Sequence, residues 1–191
     1  MPMTSSDEEI IRLIDKTEAN LKRIEKISGR FICFTLNEWR YATRHIMRYH
    51  SSADVMDVNK AIGHLKRAYF DSCDVLLDCL LDRVSSIDDE IRGFAGIVAA
   101  IVPDFNKFRM AVHSARNAHL SAQTISGEER ERTYDALDEH CRQIEAYLQN
   151  MDATKDVWQA DIRKQKLRDR LPVIWTAIGI TVTIILAIIF N

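Results

Sequence analysis

The sequence predicts an all-α protein, an elongated cytoplasmic helical bundle whose long C-terminal helix continues into one transmembrane helix. Three observations lead to this prediction. Apolar residues recur at steps of three and four along most of the 191-residue chain. Only six glycines and three prolines interrupt the chain, too few for the turns of a many-stranded sheet. Residues 171–191 carry no charged side chain, although 28% of the whole chain is charged.

The first two predicted helices lie before residue 51. Ser6 followed by Glu9 matches a capping box, and apolar residues continue at helical spacing until Gly29 ends the element. The second helix covers Asn37 to His50. Its less polar face consists of Trp39, Thr43, Ile46 and His50.

A third, long helix starts near Asp54 and has one apolar seam. We expect it to break at Ser85-Ser86, because Ser86 and the acidic residues after it resemble a new helix start. The apolar run at residues 94–102 is predicted to belong to the core, since nine helical residues reach only about half the thickness of a bilayer. Pro103 begins another helix that extends to about Ser121.

The last predicted helix follows a loop at residues 122–127 and is capped by Ser126. We expect it to run without interruption toward the C-terminus. Its buried stripe is Tyr134, Leu137, Cys141, Ile144, Leu148, Met151, Lys155, Trp158 and Ile162.

The C-terminal segment has the composition of a membrane span. Fifteen of residues 171–191 are apolar, and about 20 helical residues cover the ~30 Å of a bilayer's hydrocarbon core. Five basic residues precede it: Arg163, Lys164, Lys166, Arg168 and Arg170. By the positive-inside rule, we predict a single-pass protein of the bacterial inner membrane with a cytoplasmic N-terminal domain and the lipid bilayer as a partner. The predicted division is a helical bundle at 1–165 and a basic juxtamembrane segment with the transmembrane helix at 166–191.

Small and hydroxylated residues share one face of this segment. At 100° per residue, Thr176 and Thr183 are only ~20° apart, with Gly179 and Ala187 beside them. This face is in phase with Trp158 and Ile162 in the preceding stripe. Small residues allow close helix contact in lipid, so we expect a homo-oligomer in which these six positions form the pore or oligomer face. Chance alignment of common membrane-helix residues is the alternative.

No motif of a known cofactor, metal or nucleophile site is present, and we predict none. The four cysteines have no CxxC spacing and are expected to be reduced and mostly buried. Enzymatic activity is therefore uncertain and not favoured by the sequence.

Two Arg/His pairs are the candidates for catalysis: Arg40 with His45, and Arg44 with His50. They have the Rx4–6H form of HEPN ribonucleases, in which a histidine could act as general acid or base and an arginine could stabilise phosphate. A helix rich in these residues also produces the spacing by accident. A core histidine is the simpler interpretation of His50.

A basic ridge on the second helix is the candidate ligand site. Arg40, Arg44 and Arg48 step by four, flanked by Tyr41 and Tyr49, and basic groups interleaved with aromatic rings can bind phosphates and stack bases. Lys66 and Arg67 on the next helix complete the predicted site for a nucleotide or oligonucleotide. A solvated charged face is the alternative.

The stretch Lys60–Asp71 (KAIGHLKRAYFD) resembles a helix of HEPN-like bacterial defence proteins, in which an H-L-x-R-A-x-x-D pattern recurs. With one predicted span, the chain is similar to small membrane effectors of antiphage systems, such as the pore-forming accessory of type VI CRISPR and the channel effector of Hailong. The resemblance implies an oligomeric effector that forms or gates an ion-conducting pore in antiviral defence, with a defence-system partner protein. A membrane-anchored scaffold or adaptor is the alternative, followed by a HEPN-type ribonuclease.

Overall fold

The computed structural model describes residues 4–29, 32–52 and 54–189, apart from the side chains of Ala177 and of residues 183–189. Within these ranges the chain is all-helical, which confirms the predicted fold class. The helices are α1 (Ser5–Ser28), α2 (Cys33–Ser52), α3 (Val55–Glu90), α4 (Ala95–Ile101), α5 (Phe105–Ala122), α6 (Gly127–Ala153) and α7 (Lys155–Ile189).

Helix α3 is the central element of the bundle and packs against α1, α2, α5 and α6. Its predicted apolar seam is largely confirmed, because most of the seam residues are buried. They include Val58, Leu65, Tyr69, Cys73, Leu76, Leu80, Val84 and Ile87. Such a seam at steps of three and four keeps one stripe of a helix on the core along its whole length.

The ends of α1 show how the sequence sets a helix boundary. The capping box uses Thr4 and Asp7, two residues earlier than the predicted pair of Ser6 and Glu9. The Thr4 hydroxyl accepts from the Asp7 amide, and the Asp7 carboxylate accepts from the Thr4 amide at 2.9 Å. At the other end, Gly29 adopts φ 63°, a left-handed conformation that favours glycine and confirms the predicted stop.

The predicted break at Ser85-Ser86 is wrong, because α3 continues to Glu90. Val84 and Ile87 are both buried, so the seam continues through the two serines. The Ser86 hydroxyl donates to the Asp82 carbonyl within the helix and therefore does not cap a new one. The chain turns at residues 91–94 instead.

The predicted stripe of the last helix is buried as expected from Tyr134 to Ile162, with Lys155 half-buried. The helix is nevertheless interrupted at Thr154, which separates α6 from α7. The Trp158 indole donates to the Met151 carbonyl at 3.1 Å across this interruption. The run at 94–102 belongs to the core as predicted, since Val98 and Val102 are buried.

The membrane prediction is not supported. No helix within the described residues is both long and apolar enough to cross a membrane. The predicted single-pass location in the bacterial inner membrane, with a cytoplasmic N-terminal domain, is therefore wrong.

Candidate functional site

A groove on the outer face of α2 contains the three predicted arginines. Helix α2 buries only Thr35 and Ala42, so its opposite face is open to solvent. Steps of four residues place Arg40, Arg44 and Arg48 together on that face. The arginine groove has a volume of about 800 Å³ and is lined by Arg40, Thr43, Arg44, Met47, Arg48, Ser51, Ser52 and Asp57.

The three guanidinium groups form no salt bridge with any described residue. Elsewhere in the bundle, basic side chains commonly form salt bridges with acids, as Lys16 does with Asp135 at 2.7 Å. Arg40 lies over the ring of Tyr41, 5.3 Å from its centroid. The arginine groove therefore presents three guanidinium groups against the single carboxylate of Asp57, an excess of positive charge that favours a bound anion.

Two histidines next to the groove are each held by a carboxylate from the opposite helix. His45 Nδ1 lies 2.7 Å from an Asp57 oxygen, and His64 Nδ1 lies 2.7 Å from a Glu38 oxygen. An ionised carboxylate only accepts hydrogen bonds, so we assign Nδ1 as the donor in both rings. The Nε2 atom of each neutral ring is then left as an acceptor, the state required of a general base.

The histidine pair and the arginine groove adjoin each other. Asp57 lines the groove and also holds His45. The Tyr41 ring lies 5.4 Å from that of His64. Guanidinium donors, aromatic surface and proton acceptors are thus combined on one side of the α2–α3 pair.

The remaining predicted ligand residues are placed differently. Lys66 contacts Glu9 at 2.8 Å and Glu131 at 2.9 Å, and so joins α3 to α1 and α6. Burial alone would lower the pKa of Lys66, but the two carboxylates outweigh it and raise the pKa. Arg67 is exposed and lies 3.7 Å from Glu38, at the edge of the histidine pair.

The second Arg/His candidate is open to solvent. His50 is exposed, and its ring lies 5.9 Å from that of Tyr49, so it is not a core histidine. Among the described residues, no group of three or more His, Cys, Asp or Glu side chains could hold a metal ion.

The predicted oligomer face is divided by the fold. Trp158 and Ile162 are buried in the core of the bundle. Thr176 is exposed, and its hydroxyl donates to the Pro172 carbonyl at 2.8 Å. Gly179 is also exposed. The side chains of Thr183 and Ala187 lie outside the described residues.

Sequence reasoning missed Glu38 and Asp57, although a signal was present. Glu38 precedes His45 by seven residues on α2, and Asp57 precedes His64 by seven on α3. Seven residues make two helical turns, so each acid shares a face with its histidine. An antiparallel arrangement then brings each acid to the histidine of the other helix.

No protein-family model matches the chain, and the comparisons found no matching curated protein and no matching solved structure.

Proposed function

We propose that the chain is a helical effector that binds the phosphates of a nucleotide or oligonucleotide in the arginine groove and self-associates through α7. The observation that carries the binding part is the set of three guanidinium groups without a salt-bridge partner among the described residues. A planar guanidinium can donate two parallel hydrogen bonds to a phosphate. Because the arginines step by four residues along α2, successive arginine positions are separated by a rise of ~6 Å along the helix axis.

The surroundings of the arginines favour a nucleic-acid ligand over a simple anion. Tyr41 is 41% exposed and Met47 is 66% exposed, so apolar surface lies beside the charges. Bases stack on such aromatic surfaces at about 1–3 kcal/mol each, while phosphates bind to the basic groups.

The self-association part rests on the exposed apolar side chains of α7. Those that share one side of the helix are Leu171, Ile174, Trp175, Ile178 and Val182, each at least 43% exposed. A contiguous apolar surface of this kind marks an interaction site on a folded protein. A second copy of the chain supplies an equally apolar surface to cover it.

Fluorescence anisotropy with a labelled oligouridylate of about ten nucleotides tests the binding part. Replacing Arg40, Arg44 and Arg48 together by Glu should abolish binding. In the wild type, the logarithm of affinity should fall with the logarithm of salt concentration, and the three arginines should account for a slope of about 2.

A matched control distinguishes binding at the arginine groove from a general effect of the protein's net charge. Lys22, Arg92 and Arg132 are exposed, and each is paired with an acid three or four residues earlier in the chain. Their triple replacement by Glu changes the net charge equally but should leave most of the binding intact. Equal losses in the two triple variants would show that binding is not localised at the groove.

One observation supports ribonuclease activity as a second candidate. His45 is oriented by Asp57 beside Arg40 and Arg44, so a base and phosphate-binding groups are near each other. Incubating the same oligouridylate with the wild type and with His45→Ala tests it. Cleavage that His45→Ala abolishes would support the candidate, and an intact oligouridylate with the wild type would exclude it for this substrate.

The ion-conducting pore, the antiviral role and the defence-system partner rest on the sequence alone and stay predictions, as does the scaffold alternative.

A further inference from the structure

An apolar groove lies beside α3, where α1 ends and α2 begins. It has a volume of about 780 Å³, and its apolar lining includes Ile24, Ile32, Phe34, Val75 and Leu81. Phe34 is 49% exposed, which is unusual for a phenylalanine in a helical bundle. This groove has the character of a docking site for apolar side chains.

The rim of this groove is acidic. Asp78 and Asp82 line it, one helical turn apart on α3, and both are exposed. Neither carboxylate forms a salt bridge with a described residue. We call the whole feature the acidic-rimmed groove, defined by its apolar lining and these two aspartates.

Helix α7 carries a complementary surface. Leu171, Trp175, Ile178 and Val182 follow the spacing of helix-in-groove anchors and lie within about 60° of one another at 100° per residue. Trp175 is 68% exposed. Arg168 lies on the same side, one turn before Leu171, and its guanidinium has no salt-bridge partner among the described residues. We call these five residues the α7 docking stripe.

We propose that the α7 docking stripe of one copy occupies the acidic-rimmed groove of a second copy. The apolar anchors would contact the apolar lining, and Arg168 would face Asp78 and Asp82. Phe34, Asp78 and Asp82 of the groove and all five residues of the stripe are exposed in the single chain, so a second copy can cover both surfaces. This inference rests on the proposed self-association and names the surface that α7 uses.

The two surfaces differ from each other, so the contact is heterologous. A heterologous contact leaves one free groove and one free stripe on every dimer, and assembly continues until a ring closes or a filament forms. A symmetric contact between two α7 helices would stop at the dimer instead. This difference can be measured directly.

Sedimentation velocity of the full chain provides the test. The groove-blocked variant is Asp78→Arg with Asp82→Arg, and the stripe-blocked variant is Arg168→Ala with Trp175→Ala. Each should sediment as a monomer at concentrations where the wild type assembles, with at least a tenfold weaker association. Ile180→Ala, on the opposite side of α7, is the matched control and should assemble as the wild type does. Circular dichroism checks that every variant keeps its helices.

Mixing the two blocked variants in equal amounts is decisive. The groove-blocked variant still offers a stripe, and the stripe-blocked variant still offers a groove. Together they should form heterodimers and nothing larger. Assembly of the groove-blocked variant alone, or no heterodimer in the mixture, would overturn the inference while leaving self-association intact. A monomeric wild type would instead overturn the proposed self-association itself.

Discussion

His45 and His64 lie face to face between α2 and α3, with their ring centroids 5.5 Å apart and their planes inclined by 13°. Each ring is held at Nδ1 by an acid from the other helix, so the two contacts brace the helix pair in both directions. Because the side chains of all four residues are mostly buried, their geometry is restrained by packing as well as by hydrogen bonds.

Asp57→Asn should increase the affinity for the labelled oligouridylate. Asp57 contributes the carboxylate that lines the arginine groove, and it repels a phosphate there. Two unit charges about 4 Å apart in water interact by about 1 kcal/mol, which corresponds to an affinity gain of about fivefold. Glu38→Gln is the matched control, because Glu38 holds His64 in the same way but does not line the groove. A weaker-binding Asp57→Asn protein would contradict an anion site at this position.

Glu131→Gln should destabilise the protein at neutral pH, and the difference should vanish in acid. Burial alone would raise the pKa of Glu131, but Arg12 and Lys66 outweigh it and hold the pKa below its usual value. Ionised Glu131 therefore stabilises the fold above its unfolded pKa near 4.5, and this stability is lost as the pH falls through the lower folded value. We expect a loss of about 1–2 kcal/mol at pH 7, because these partners are partly exposed.

Urea unfolding from pH 3 to pH 7 measures this effect. Glu128→Gln, whose exposed carboxylate pairs with Arg132, should change stability by less than about 0.5 kcal/mol at every pH. A constant difference between wild type and Glu131→Gln across the pH range would refute the assigned ionic role.

Trp158→Ala should lower the free energy of unfolding by about 3–5 kcal/mol, since it removes a ring that is only 1% exposed. It also leaves the Met151 carbonyl without its indole donor. Val157→Ala, at a neighbouring residue that is 56% exposed, should cost little. Thermal or urea unfolding measures the stability of both variants against the wild type. Equal losses in Trp158→Ala and Val157→Ala would place Trp158 outside the core.

The cysteines should react with N-ethylmaleimide in an order set by burial. Cys33 is exposed and should be modified first. Burial raises the pKa of Cys73 well above its usual value and that of Cys141 to about 12, so little thiolate forms in either. Mass spectrometry after timed labelling should find Cys73 and Cys141 modified only once the protein unfolds. Rapid modification of Cys141 in the folded protein would contradict the burial of this side chain on α6.

The helix seams could be predicted from the sequence because they depend on the period of each helix alone. For the carboxylate–histidine contacts, the seven-residue spacing indicates which acid shares a face with which histidine, but the pairing across the helices depends on the register between α2 and α3, which the period of each helix does not set. Trp158 illustrates another limit. Its position in the stripe indicates that it is covered, but periodicity does not say whether its own bundle or another chain covers it. The arginine ridge could be predicted because its three members lie on one helix. The position of Lys66 could not, because Lys66 forms salt bridges with acids on α1 and α6 instead of lining the predicted ligand site.

The ion pairs between α1 and α6 have a consequence for how the chain folds during synthesis. Lys16 and Asp135 are 119 residues apart in sequence, and Arg12 and Glu131 are separated equally, so the two helices run parallel across α3. At the usual 5–20 residues per second, a ribosome needs roughly 6–24 s to make the second partner after the first. Until then, α1 can pack on α3 but its basic residues have no acids from α6. We therefore expect the nascent N-terminal half to remain only partly packed until α6 has been synthesised.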